Sequence, residues 1–126
     1  MDAKRILVVD DQESMRDMLA DLLDMMGHET CKASGGSEAL ERLAKDDIDL
    51  VIVDLNMPQM DGMEVTRRIK ARTPQLPVLV ITGYATFHTE RQILAGGADG
   101  CIPKPCTIHR VRDSVANALN APRTAA

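Results

Sequence analysis

Three stretches of this chain are almost unbroken runs of branched apolar side chains: residues 5–10 (RILVVD), 49–55 (DLVIVDL) and 78–82 (VLVIT). A strand with one wet face alternates apolar and polar residues. These runs do not alternate, so both of their faces must be covered, as in parallel strands sandwiched between helices. The segments between them carry the helical period. Met15, Met18, Leu19, Leu22, Leu23 and Met26 recur as one stripe that ends at Gly27. Ala39, Leu40, Leu43 and Ala44 mark a second helix after a turn at Gly35-Gly36-Ser37. A third follows the loop 56–62, with Met63 and Ile69 inward and Arg67, Arg68, Lys70 and Arg72 largely outward. Beyond Pro74 and Pro77, a fourth helix of weaker pattern covers about 85–95, and a last one aligns Ile108, Val111, Val115 and Leu119. A weaker strand at 28–33 and a brief one at 100–102 complete five βα units. These predict a doubly wound α/β fold, a five-stranded parallel sheet with five helices and right-handed crossovers.

A chain of 126 residues buries one sizeable core and not two. With 15 Lys+Arg against 19 Asp+Glu the net charge is -4, and no basic stripe offsets it. Such a chain has no electrostatic reason to bind nucleic acid. The apolar runs are too short to span a bilayer, and the N-terminus lacks the apolar stretch of a signal peptide. Cys31, Cys101 and Cys106 form neither an even disulfide set nor a CxxC pattern. Free thiols fit a reducing cytosol, so a cytoplasmic location is expected.

In an open parallel sheet, chemistry gathers beyond the carboxyl ends of the strands. The first strand ends in Asp10-Asp11, the third in Asp54, the fourth in Thr82, and Lys104 follows the fifth. If the sheet assembles as expected, these side chains share one crevice. Three carboxylates side by side repel one another, so some protonate or a cation sits between them. Oxygen-only ligands in a partly open site suit Mg²⁺. Zinc is poorly supported, because no His or Cys stands at ligand spacing there. A carboxylate beside a divalent ion, with a hydroxyl and an ammonium in reach, can accept a phosphoryl group. On that reading Asp54 is the nucleophile, Asp10 and Asp11 hold the metal, Lys104 pairs with the carboxylate and then the phosphoryl group, and Thr82 donates its hydroxyl. Taken singly, each residue has a plainer reading. The acidic pair could cap the first helix, Asp54 could be a loop-entry Asp, Lys104 a solvated lysine and Thr82 an ordinary strand residue.

Asp10-Asp11, Asp54 followed by MPQMDG, Thr82-Gly83 and Lys104-Pro105 together resemble a response-regulator receiver domain of two-component signalling, over about residues 4–120. The resemblance implies the flavodoxin-like strand order 2-1-3-4-5, for which the chemotaxis receiver is a standing example. It implies a receiver domain over residues 1–120 and a short flexible tail at 121–126. It further implies that Asp54 takes a phosphoryl group from a sensor histidine kinase, a phosphotransfer protein or a small phosphodonor. The metal would be held by Asp10, Asp11, Asp54 and the main-chain carbonyl of Asn56, and the Lys104–Pro105 bond would be cis. The output surface in such families would here run from Ala85 to Leu119 and meet a downstream protein or domain. Asn56 and Tyr84 would tune phosphoryl lifetime. Because the chain starts four residues before the first strand, an independent protein or an N-terminal receiver is expected. No output segment is recognised after Leu119.

Two alternatives accompany this reading. An aspartyl phosphatase of the haloacid dehalogenase type wants a second acid two residues past the nucleophile, where this chain has Asn56, so the chain is not expected to be an enzyme. A receiver-like module that binds its partner without phosphorylation is the other. The Met-rich first helix (Met15, Met18, Met25, Met26) reads as core filler, His28, His88 and His109 as surface residues, and Cys101 and Cys106 as inert buried thiols. The family's usual aromatic three residues before the Lys, the switch partner of Thr82, is replaced by Cys101, and the one after Lys-Pro by Cys106. The expectation is that Thr82 still moves toward the phosphoryl group while other packing changes around Cys101 carry the output. Cys101→Tyr should then leave phosphorylation-dependent partner binding unchanged in a pull-down or titration; a sharp increase would show that the relay is impaired.

Overall fold

A computed structural model describes residues 3–83 and 90–120. Five strands and five helices alternate: β1 (Arg5–Val9), α1 (Glu13–Met25), β2 (Glu29–Ala33), α2 (Gly36–Lys45), β3 (Leu50–Asp54), α3 (Gly62–Arg72), β4 (Val78–Thr82), α4 (Glu90–Ala95), β5 (Gly100–Pro103) and α5 (Ile108–Asn120). The sheet order is β2-β1-β3-β4-β5, and every neighbouring pair is parallel. This is the doubly wound, flavodoxin-like arrangement expected from the apolar runs and the strand order implied by the resemblance. Among the described residues no helix is long and apolar enough to cross a membrane.

The period-2 alternation of the central strands divides the core into two layers. Leu7, Val9, Val51, Val53, Val78 and Val80 pack with Ala39 of α2, Val65 and Ile69 of α3 and Ile93 of α4. Ile6, Val8, Leu50, Ile52, Leu79 and Ile81 pack with Leu19 and Leu23 of α1 and Val111 and Val115 of α5. Both faces of β3 are covered, and all five of its residues are buried. Among the described residues strand β2 pairs only with β1, and its Glu29 and Lys32 are exposed, which is why its apolar pattern is weak.

Several expectations need correction. In α1, Leu19, Leu22 and Leu23 are buried and Met15 and Met26 are partly so, but Met18 and Met25 are 43% and 79% exposed. At about 100° per residue, Met18 and Met25 fall on the solvent side of Leu22. Ile108 begins α5 and is exposed, because a first-turn position overhangs the end of the sheet. Gly36 is the first residue of α2 rather than part of a turn. The α1 N-cap is Gln12, with no side-chain cap bond, so neither Asp10 nor Asp11 caps that helix. Lys70 is not a solvated residue: its ammonium bonds the Pro74 and Leu76 carbonyls and Asp99 Oδ2, the last at 2.6 Å. Arg67 and Arg68 are exposed as expected and donate to Glu64, whose carboxyl they lower to about 2. Of the fourth helix expected at about 85–95, residues 85–89 lie outside the described residues, as do Tyr84, His88 and 121–126.

The β3–α3 connection fixes the end of the central strand. Asp61 caps α3 by accepting the Glu64 N–H at 2.9 Å, and the Gly62 N–H donates to the Leu55 carbonyl. This brings α3 hard against the end of β3. A Cβ on Gly62 would lie 2.5 Å from the Asp54 carbonyl oxygen and 2.7 Å from Leu55 Cα. Those are backbone atoms that cannot swing aside. Gly62→Ala should therefore lower unfolding free energy in urea by about 1–3 kcal/mol, whereas Gly35→Ala, where a Cβ meets nothing within 4 Å, should cost much less.

Candidate functional site

Register brings the acids together. Val9 is paired with Val53 across β1 and β3, and Asp10 and Asp54 each follow that pair. The Asp10 N–H continues the β1–β2 ladder by donating to the Ala33 carbonyl at 3.1 Å. Asp10 and Asp54 are buried, Asp11 is exposed, and carboxylate oxygens of all three lie within 4.8 Å of one another. Lys104 arrives from the far side of β4. Thr82 is paired with Pro103, and the Lys104 N–H donates to the Thr82 carbonyl at 2.7 Å. From there the Lys104 ammonium reaches Asp54 Oδ1 at 3.3 Å. The Asn56 N–H also points to Asp54 Oδ1, at 3.4 Å. The Thr82 hydroxyl donates to the Gly83 carbonyl at 3.4 Å. Thr82 stands one residue past Ile81, the partner of Asp54.

The structure thus brings Asp10, Asp11, Asp54 and Lys104 into one cluster and sets Asn56 and Thr82 at its rim. The Lys104–Pro105 peptide bond is cis. Cys101 and Cys106 are half-buried, and burial pushes both thiols up.

Burial pushes the Asp54 carboxyl above its ordinary range, while the Lys104 ammonium pulls it back down. Burial likewise raises Asp10, against the Gln12 N–H that donates to its Oδ1 at 2.9 Å; the charge of Asp54 adds to the rise. The second Asp10 oxygen, Oδ2, is buried with no hydrogen-bond partner among the described residues. An unpartnered buried carboxylate oxygen facing two other carboxylates is costly unless a cation completes it. The donors are all oxygens and Asp11 leaves the site open to water, so the residues fit a hard divalent cation such as Mg²⁺.

Three features escaped the sequence reading. Arg16 of α1 donates to the Asp10 carbonyl at 2.6 Å; nothing in the spacing announces a side chain bonding backbone six residues away. The close approach of Gly62 to Asp54 is visible only in three dimensions. The Asp61 cap did have a sequence signal, an Asp three residues before Glu64 at the head of a helix.

Each raised carboxyl has a defined effect on stability. A carboxyl raised on folding binds its proton more tightly in the folded state, so between its ordinary and raised values stability increases as pH falls. At neutral pH without divalent cation the folded state bears the full cost. Asp10→Asn keeps the oxygen that bonds Gln12 and removes one charge. It should raise Tm by about 3–6 °C in EDTA at neutral pH and flatten the pH dependence under mildly acidic conditions, both read by calorimetry.

The family model described as the response regulator receiver domain matches residues 6–116. The sensor histidine kinase RcsC of Escherichia coli strain K12 is 39% identical over 114 residues, 90% of this chain and 12% of that protein. The response regulator protein PilR of Pseudomonas aeruginosa is 36% identical over 119 residues, 94% of this chain and 27% of that protein. The chain therefore spans only a minor part of the length of these relatives. The receiver domain of NtrX from Brucella abortus superposes with TM-score 0.88 at 33% identity, covering 93% of this chain and 99% of that one. The chemotaxis protein CheY4 of Vibrio cholerae does so with TM-score 0.86 at 29% identity, covering 94% of this chain and 100% of that one.

Proposed function

The chain belongs to the response regulator receiver family of two-component signalling, and from that premise we propose that Asp54 is its phosphoacceptor and that phosphorylation switches a partner-binding surface. The observation that carries this reading is the buried Asp54 carboxylate held by Lys104 at 3.3 Å beside two further acids.

Asp54 ends the central strand β3, paired with Ile81 of β4 one residue past the Val9–Val53 pair. Its carboxyl is raised by burial, which makes it a stronger nucleophile than a solvated aspartate. In the transfer, an Asp54 oxygen forms the bond to phosphorus as the P–N bond to the donor imidazole breaks. The imidazole nitrogen keeps the electron pair and takes a proton from water. The Lys104 ammonium then neutralises part of the phosphoryl charge, and the Thr82 hydroxyl donates to a phosphoryl oxygen once it leaves the Gly83 carbonyl. Asp10, Asp11, Asp54 and the Asn56 carbonyl would hold Mg²⁺, which when bound supplies charge neutralisation to the phosphoryl oxygens.

The donor in this proposal is a sensor histidine kinase or a phosphotransfer protein, with small phosphodonors as substitutes. The output partner meets the surface from Ala85 to Leu119, of which 85–89 lie outside the described residues. We place the receiver at residues 1–120, with 121–126 as a tail, and the protein in the cytosol, where its three free thiols stay reduced. Asn56 stands where a hydrolase needs its acid, so the chain is read as an acceptor and not as a phosphatase.

Incubation with acetyl phosphate and Mg²⁺ should add a single phosphoryl group by intact mass. The adduct should be absent in Asp54→Asn and in EDTA, and Lys104→Met should reduce it at least tenfold. An adduct that persists in Asp54→Asn would overturn the assignment. No adduct despite Mg²⁺ binding would favour a phosphorylation-independent binding module.

A further inference from the structure

The peptide bond that joins Asp10 to Asp11 is held by a side chain from outside the carboxylate cluster. Arg16 Nη1 donates to the Asp10 carbonyl at 2.6 Å, and the Arg16 N–H donates to the Gln12 carbonyl at 3.1 Å. The Gln12 N–H in turn donates to Asp10 Oδ1 at 2.9 Å. These three bonds close a ring over residues 10–16, tying the turn that carries both acids to the first turn of α1. Behind the ring, the Asp10 N–H donates to the Ala33 carbonyl, and Ser34 donates through its N–H and its hydroxyl to Glu38 Oε1. The two Ser34 bonds, with smaller help from Arg42 and then Arg16, hold the Glu38 carboxyl below its ordinary range. The half-buried Arg16 is thus bonded to the end of β1 and within electrostatic reach of the head of α2.

A peptide unit is planar, so the direction of the Asp10 carbonyl fixes the direction of the Asp11 N–H. Through ψ of Asp10 and φ of Asp11 it also sets how the two side chains are turned relative to one another. Asp10 is buried and gripped at its N–H, its carbonyl and Oδ1. Asp11 is exposed, yet carboxylate oxygens of Asp10, Asp11 and Asp54 all lie within 4.8 Å of one another. Repulsion among three like charges favours a backbone turn that takes Asp11 out to water. The bond from Arg16 opposes that turn. Charge alone gives no reason for a guanidinium here, because one cation beside the site repels another. Its hold on the backbone does give one, since Mg²⁺ demands near-ideal octahedral geometry from its ligands.

We propose that Arg16 is a positioning residue for divalent-cation binding, which by fixing the Asp10–Asp11 peptide plane presents both carboxylates together beside Asp54. This role rests on the reading of these acids as the holders of Mg²⁺. Arg16 acts through the Asp10 carbonyl and need not touch the cation. Partners one step removed from a metal govern its affinity by about 10–100-fold.

The test is a Mg²⁺ titration of the full chain followed by amide chemical shifts, with Tm in EDTA measured alongside. Arg16→Met, which keeps the length of the side chain and removes the donor, should weaken Mg²⁺ binding about tenfold. Arg16→Lys, which keeps a donor, should bind Mg²⁺ more tightly than Arg16→Met although its charge repels the cation. Charge alone predicts the reverse order, because removing a cation beside the site favours Mg²⁺. A merely structural role would lower Tm and leave the affinity where it was. Arg16→Met with Mg²⁺ affinity unchanged or increased, whatever its Tm, would overturn the proposal, as would Arg16→Lys binding no better than Arg16→Met. A wild-type chain that binds no Mg²⁺ would overturn the metal reading itself, and this role with it.

Discussion

A parallel sheet covered by helices on both faces leaves polar chemistry little room except at its edges. Here the pairing of β1 with β3, through Val9 and Val53, decides what stands at the carboxyl edge. It places Asp10 and Asp54 side by side, each anchored to a strand that cannot yield without unpairing its neighbours. Everything else about the site follows from that juxtaposition. Burial raises both acids, and the charge of Asp54 adds to the rise at Asp10; the pair demands a counter-charge, part of which Lys104 supplies.

The surrounding structure holds this costly arrangement in place. Asp10 is secured by the Ala33 carbonyl through its N–H, by Arg16 through its own carbonyl and by Gln12 through its side chain. Asp54 is secured by the register of β3 and by the packing of Gly62 against its carbonyl. A folded state that confines like charges sacrifices stability for a poised site, and the large apolar layers on both faces of the sheet offset that cost. The same logic separates the two ends of the molecule. Charge is concentrated and buried at the carboxyl end. At the opposite end Asp21 and Asp24 stay on the surface beside the exposed Met25.

Much of this was legible in the chain. The runs at 5–10, 49–55 and 78–82 announced buried parallel strands because no one-sided strand can be apolar at every position. The polar residue that ended each run announced the site, since in this architecture strand ends point to one crevice. The failures are local and share a cause. Met18 and Met25 looked like core because hydrophobicity was counted without knowing how wide an arc of α1 the sheet and α5 would cover. Lys70 read as an outward residue of the third helix because its partners, the Pro74 and Leu76 carbonyls and Asp99, are brought to it by the α3–β4 turn and by the residue before β5. Asp10 and Asp11 could be read as helix caps because an Asp before a helix usually is one; here Asp10 turns back to the Gln12 N–H and into the cluster.

The sequence by itself determined the order of strands and helices, the two-sided burial of the central strands and the identity of the residues at their ends. Each of these is written in local periodicity and composition, which a single segment carries alone. Only the tertiary structure decided that Val9 pairs with Val53, that Lys104 crosses the end of β4 to reach Asp54 at 3.3 Å, and which methionines of α1 face water. Those outcomes depend on strand register and on how much of each helix its neighbours cover. Both are set by the simultaneous packing of segments far apart in the chain, and no single segment records them.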